Sequence, residues 1–173
     1  MSLKKVIYWI DSINEWSGRL ISWLILLIVL TIVYQASMVA LFSIGSVALQ
    51  ELQWHLFALL FLIGAGYTFK HDDHVRVDVI YKSHWLTDRH RAWIDLFGGL
   101  FLLIPFCVLV IIAAWPFVYN AFIHLEGSPD PGGLPYRFLL KAIIPLGFIL
   151  LMLQGIANSL KSLLYLFGNN DLR

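Results

Sequence analysis

Histidine and carboxylate side chains crowd one short polar stretch of the sequence. His71, Asp72, Asp73 and His74 occupy four consecutive positions. A metal ion needs its ligands to converge at about 2 Å with a fixed geometry, and consecutive loop positions do not impose that convergence. A solvated loop is therefore favoured over a metal site, and we expect this chain to bind no metal ion and no cofactor.

Two further histidines lie close to long apolar runs. His55 is near the outer end of the second run, and His124 is in or beside a polar connection at the same end. A b-type haem needs axial ligands on facing helices at matched depth, so one haem is geometrically conceivable, although polar interfacial histidines are commoner. The corresponding alternative function is a haem-holding membrane anchor of a respiratory enzyme.

Two charged residues lie about one turn inside apolar runs, Glu51 and Lys141. Charged groups at that depth are costly and usually face protein, water or each other. They can pair with each other or with a partner subunit, or they can reach back to the interface, which Lys does more easily than Glu. A third function follows if Glu51 carries protons, because the chain would then be a small exporter.

The sequence offers little else that could carry catalysis or transport. It has no nucleophile–base set, no phosphate-binding loop and no pair of carboxylates, and its spans lack a continuous polar lining. We therefore expect a scaffold or anchor rather than an enzyme, with no catalytic residue in this chain.

The composition is that of an integral membrane protein. Of 173 residues, 60% are apolar and 13% are charged, and the mean hydropathy is +0.78, whereas soluble domains are about 25% charged. The net charge of +1 gives no reason to expect a nucleic-acid partner. The single cysteine, Cys107, excludes an intrachain disulfide.

Four apolar runs are long enough to cross a bilayer, and they cover residues 20–42, 47–69, 92–119 and 139–160. In lipid, runs of this length must be helical to satisfy the backbone. Residues 3–17 carry a Trp-bearing apolar stripe and precede a possible break at Gly18, which favours a helix in the membrane interface; the alternative is a cytosolic turn of the first span. The prediction is an all-α integral membrane protein, one membrane domain over residues 1–173 with four transmembrane helices in two hairpins plus an N-terminal interfacial amphipathic helix.

The basic residues predict the orientation of these spans. Four spans put both termini and the polar segment 70–91 on one side, which then carries ten of the twelve Lys and Arg residues. Positive charge is retained in the cytoplasm. We therefore expect cytoplasmic termini in a bacterial inner membrane, with residues 43–46 and 126–135 facing outward.

Several motifs occur in the order typical of one transporter family. A glutamate lies early in the second span, Glu51 in LQELQWHLFALLF, and a small-residue patch follows at residues 64–66. After that span come His74, Arg76 and Asp78 in the motif HVRVD, and later the connection EGSPDPGGLP is followed by Lys141 and IPLGFILLMLQGIA. With these motifs the chain resembles, over nearly its whole length, the small membrane subunit of tripartite ATP-independent periplasmic (TRAP) transporters, the DctQ-like family.

The resemblance implies a function and partners. It implies a small scaffold subunit that supports a large membrane permease, which takes up an organic acid by sodium-coupled symport after a periplasmic binding protein delivers it. The sodium and substrate sites would then lie in other subunits, and membrane lipid is the remaining partner.

The resemblance and the charge positions together give the candidate site residues. Subunit-interface or structural roles are expected for Glu51, His74, Arg76, Asp78 and Lys141. The outer connection is expected to help dock the binding protein, with Glu126, Asp130 and Arg137 as its charged candidates, although a plain helix connector is an equal alternative.

Overall fold

The computed structural model describes residues 3–73 and 86–167, and in these ranges it is all-helical. The helices are α1 (Leu3–Ser22), α2 (Leu24–Phe42), α3 (Val47–Lys70), α4 (Asp88–Phe97), a π-helical segment (Gly98–Leu103), α5 (Ile104–Ile123) and α6 (Phe138–Leu166). Four helical runs are long and apolar enough to cross a membrane: Leu3–Phe42, Val47–Lys70, Asp88–Ile123 and Phe138–Leu166. These runs confirm the all-α fold with four membrane-spanning helices, and each contains one predicted span.

The N-terminal helix is longer than residues 3–17. α1 continues through Gly18 to Ser22, and a single residue, Trp23, separates it from α2; the backbone of Trp23 is itself helical, with φ −66° and ψ −20°. The expected break at Gly18 is wrong because this glycine packs directly on the ring of Tyr67, where no Cβ would fit. α2 alone has 19 residues, about 29 Å of helix, which fills a hydrocarbon layer about 30 Å thick. α1 therefore extends beyond that layer.

α1 turns a different face to the bundle than its apolar stripe suggests. Its buried positions are Ile7, Ile10, Asn14, Gly18 and Ile21. The stripe's tryptophans, Trp9 and Trp16, are 66% and 70% exposed. They face away from the protein, as expected for side chains that contact lipid at the interface.

α6 is the centre of the bundle. It packs most extensively against α3 and α5 and also contacts α1 and α4, whereas α2 packs mainly on α3 and buries no residue completely. α6 approaches α3 closely at Gly147, which lies against the backbone of Leu62 in α3. Small residues at such crossings let two backbones approach in a membrane.

Each hairpin makes its turn at what we call the loop end of the bundle. A turn at residues 43–46 connects α2 to α3, with Ser43 in the left-handed region at φ 56°. Ser46 caps α3 by accepting a hydrogen bond from the backbone N–H of Leu49. Below this turn, Gln53 Nε2 donates to Gln35 Oε1 at 2.8 Å, so the half-buried amide of Gln35 in the first span has its partner in the second.

The third span is one helical run with a wider middle. The π-helical segment Gly98–Leu103 ends with a hydrogen bond from the Ile104 N–H to the Gly99 carbonyl, directly before Pro105. Because proline has no N–H, it cannot continue the α-helical hydrogen bonds. Pro105 is therefore preceded by a widened turn on its N-terminal side.

Candidate functional site

The opposite end of the bundle, which we call the basic end, carries α1 and the ends of α3 and α6. Glu15 of α1 is its central charge. Its carboxylate accepts from Lys70 Nζ at 2.6 Å and lies 2.7 Å from His71 Nε2, and it also accepts from Arg19 Nε at 2.7 Å. One carboxylate thus joins the start of the first hairpin to the end of α3.

A buried polar network lies beside Glu15, between α1 and α6. Asn14 Nδ2 donates to Gln154 Oε1 at 3.0 Å, and both side chains are fully buried. Gln154 Nε2 donates in turn to Asp11 Oδ1 at 2.9 Å and to Asn158 Oδ1 at 3.1 Å, and Lys161 Nζ donates to Asp11 at 2.9 Å. Hydrogen bonds between buried polar groups on facing helices favour one arrangement of those helices, so these bonds hold α1 in place against α6. Within this network, Asn14 Oδ1 is buried and accepts no hydrogen bond from the described residues.

The network also reaches the end of α3. Asn158 Nδ2 is 3.4 Å from the Phe69 carbonyl, and Asn14 Oδ1 lies against Gly66, where a Cβ would collide with it. Three helices therefore meet around the same amide groups. The basic end of the bundle is joined both by packing and by hydrogen bonds.

At the loop end, Glu51 organises the long connection between α5 and α6. Its carboxylate is 5% exposed and points into this connection. It accepts a hydrogen bond from the Ser128 hydroxyl and another, at 2.6 Å, from the backbone N–H of Leu134. Because these two residues lie on the two arms of the connection, the carboxylate closes the loop.

The loop has its own internal hydrogen bonds. Ser128 N–H donates to the Leu134 carbonyl at 3.0 Å, and Gly133 N–H donates to the Asp130 carbonyl at 3.0 Å. At its base, Arg137 N–H donates to the Glu126 carbonyl at 2.8 Å. Residues 126–137 therefore form an ordered cap over the second span.

Lys141 contacts the base of this cap, not Glu51. Its Nζ forms an ion pair with the Glu126 carboxylate and lies 3.9 Å from the centroid of the Phe117 ring. In the described part of the chain Glu51 and Lys141 therefore have separate partners. The structure brings both beneath one loop without pairing them directly.

Of the three candidates for docking, one presents its side chain to solvent. Asp130 is exposed at the tip with Pro129 and Pro131, while Glu126 and Arg137 are half-buried at the loop base. Its side chain is left free to meet a partner, because the loop uses only the Asp130 backbone, whose N–H donates to Ser128 Oγ and whose carbonyl accepts from Gly133.

The remaining candidate residues fall into two groups. His74, Arg76 and Asp78 lie outside the described residues. His55 and His124 each have Nδ1 within hydrogen-bonding distance of the carbonyl four residues earlier, at 2.6 and 2.8 Å. Among residues 3–73 and 86–167, no three His, Cys, Asp or Glu side chains converge in a way that could hold a metal ion.

Sequence reasoning missed the polar network at the basic end. Asn14 lies off the apolar stripe of residues 3–17, which predicts an exposed side chain, yet it is fully buried. The available signal was periodicity. Gln154, Asn158 and Lys161 follow one another at spacings of four and three residues on α6, and Asn14 and Glu15 lie three and four residues after Asp11 on α1. Two matching polar stripes predict helices that face each other.

The family model for the DctQ component of tripartite ATP-independent periplasmic transporters matches residues 14–164. The chain belongs to this family. The matched region begins at Asn14 and includes Glu51, the outer loop and Lys141. It therefore covers the cluster at the loop end and all of the basic-end network except Asp11. DctQ is a transporter component and not an enzyme family. No curated protein is similar enough to this chain to be matched.

Proposed function

We propose that this DctQ component is a static scaffold subunit. In this proposal it supports a large membrane permease that takes up an organic acid by sodium symport, after a periplasmic binding protein has delivered it. The observation that carries the proposal is the family match over residues 14–164. The geometry supports a scaffold because Glu51 and Lys141 are occupied in holding this chain's own outer loop.

A scaffold beside a moving permease must resist deformation at both membrane surfaces. At the basic end, α1 is joined to α3 through Glu15 and to α6 through Gln154. At the loop end, Glu51 joins α3 to the connection between α5 and α6. Polar contacts across helices stabilise a bundle in which lipid provides no hydrophobic driving force.

The orientation follows from the positive charge. Lys4, Lys5, Arg19 and Lys161 are among the cations at the basic end, whereas Arg137 and Lys141 lie at the loop end. By the positive-inside rule we place the basic end in the cytoplasm and the loop end in the periplasm of a bacterial inner membrane. A cysteine at Asp130 should react with a membrane-impermeant maleimide in intact spheroplasts, and a cysteine at Lys4 should not. The reverse pattern would contradict this orientation.

The exposed tip of the outer loop is the proposed docking surface for the binding protein. Asp130 is available there, while the Glu126 side chain pairs with Lys141 at the loop base. A photo-crosslinker at position 130 should capture the binding protein, and one at the exposed Tyr8 on the basic end should not. Failure to crosslink from any tip position would count against docking.

The whole proposal is tested by transport. Proteoliposomes that contain the permease should accumulate the organic acid when the binding protein and an inward sodium gradient are present, but only with this DctQ component in the membrane. Full uptake by the permease without this chain would overturn the scaffold role. Uptake that ignores the sodium gradient would overturn only the coupling.

A further inference from the structure

An open groove of about 340 Å³, lined mainly by polar and charged residues, lies on the surface of α1 at the basic end. It is bounded by the side chain of Lys70 and by one face of α1. The lining residues on α1 are Tyr8, Asp11, Ser12, Glu15, Trp16 and Arg19. The scaffold role uses Glu15 and Asp11 for helix contacts, and it leaves the open side of this groove without a function.

Arg19 presents an unused hydrogen-bonding edge to this groove. Its side chain is 74% exposed, and the one bond described for it runs from Nε to the Glu15 carboxylate. That bond holds the guanidinium from one side and leaves the Nη1 and Nη2 donors without a described acceptor. A guanidinium edge held in this way matches two oxygens of a phosphate group.

The electrostatic balance around the groove favours an anion. Lys70 neutralises Glu15 at 2.6 Å, and Lys161 neutralises Asp11 at 2.9 Å. Arg19 is therefore a third cation beside two carboxylates that already have partners. The surplus positive charge is on the most exposed of the three basic side chains.

The depth of the groove identifies the source of the anion. Arg19 precedes the start of α2 at Leu24 by five residues, which is about 7.5 Å of helix and corresponds to the headgroup layer. Between them, Leu20 is 56% and Trp23 is 74% exposed, so an apolar surface continues from the groove toward the hydrocarbon. A free phosphate ion would contact the guanidinium alone, whereas a phospholipid would contact both the guanidinium and this apolar surface.

We propose that this groove binds the headgroup of a phospholipid from the leaflet at the basic end. The lipid phosphate accepts hydrogen bonds from Arg19, its headgroup lies beside Trp16, and its acyl chains follow Leu20 and Trp23. The bound lipid fills the space beside α1 and steadies the helix at the membrane surface. This site does not depend on transport, so its failure would leave the scaffold proposal intact.

The test uses the full-length chain in detergent, titrated with dioctanoyl phosphatidylglycerol and followed by native mass spectrometry. Arg19→Gln should weaken binding about tenfold, which corresponds to the loss of one charge-assisted contact. Arg19→Lys keeps the charge but not the two-pronged edge and should lie between Arg19→Gln and the native chain. Arg89→Gln removes an exposed guanidinium at the same end but outside the groove, and it should bind lipid normally.

Two further ligands separate a lipid site from a simple anion site. Dioctanoylglycerol, which lacks the phosphate, should not bind measurably, and inorganic phosphate should not displace the lipid at equal concentration. Displacement by inorganic phosphate, unchanged binding to Arg19→Gln, or an equal loss in Arg89→Gln would each overturn the proposal. Folding of Arg19→Gln is checked through the fully buried thiol of Cys107, and Glu15 retains Lys70 in that variant.

Discussion

Replacing Gly147 with alanine tests how tightly the bundle is built. A Cβ at this position would lie 2.7 Å from the Leu62 carbonyl oxygen and 2.9 Å from the Leu62 carbonyl carbon. Both are backbone atoms of α3, so no side-chain rotation can relieve the contact, and α3 and α6 must move apart. Overpacking of this kind typically costs about 1–3 kcal/mol, and here it affects the most extensive helix contact in the bundle.

The native chain supplies a reporter for this experiment. Cys107 is the only cysteine and is fully buried, so a thiol-reactive fluorescent maleimide labels the chain only when the bundle opens. Gly147→Ala should lower the labelling midpoint by about 2–4 °C for each kcal/mol lost. Gly98→Ala is the matched control, because a Cβ there meets nothing within 4 Å. An unchanged midpoint for Gly147→Ala, or an equal fall for Gly98→Ala, would refute the packing argument.

Three further predictions address the polar clusters. Asn14→Leu and Gln154→Leu should each destabilise the bundle by about 1–3 kcal/mol, because each leaves a buried amide without its partner. The double variant should lose less stability than the sum of the two single losses. Strictly additive losses would show that the two amides are not coupled. Glu51→Ala should speed amide hydrogen exchange in the outer loop while leaving the basic end unchanged, and equal protection in both proteins would show that the carboxylate does not hold the loop. In the dye-labelling assay, the stability losses of Lys141→Met and Glu126→Gln should be non-additive, whereas those of Lys141→Met and Glu51→Gln should add. Non-additive losses for Lys141 and Glu51 instead would contradict the observed pairing.

The helical frame was predictable because it depends on local properties of the chain. Apolar length gives the four spans, and the structure has helical runs at all four. The extent of α1 was not predictable, since Gly18 reads locally as a helix breaker. Only the packing of this glycine on Tyr67, 49 positions later, explains why the helix continues.

The candidate site was predictable in its residues but not in its pairings. Glu51 and Lys141 are costly in lipid, and this cost alone marks them as residues that need partners. Their actual partners, Leu134 for one and Glu126 for the other, follow from the folded path of a loop rich in proline and glycine. Such a path depends on contacts between distant residues, and no periodic pattern in the sequence encodes it.

Purifying the chain from its native membranes tests the central claim most directly. A tag on this DctQ component should recover it in a stable complex with a large multi-span permease, in a preparation without haem absorbance. Recovery of the chain alone, or with a respiratory enzyme and a b-type Soret band, would contradict the assignment of this chain as the scaffold of a tripartite transporter.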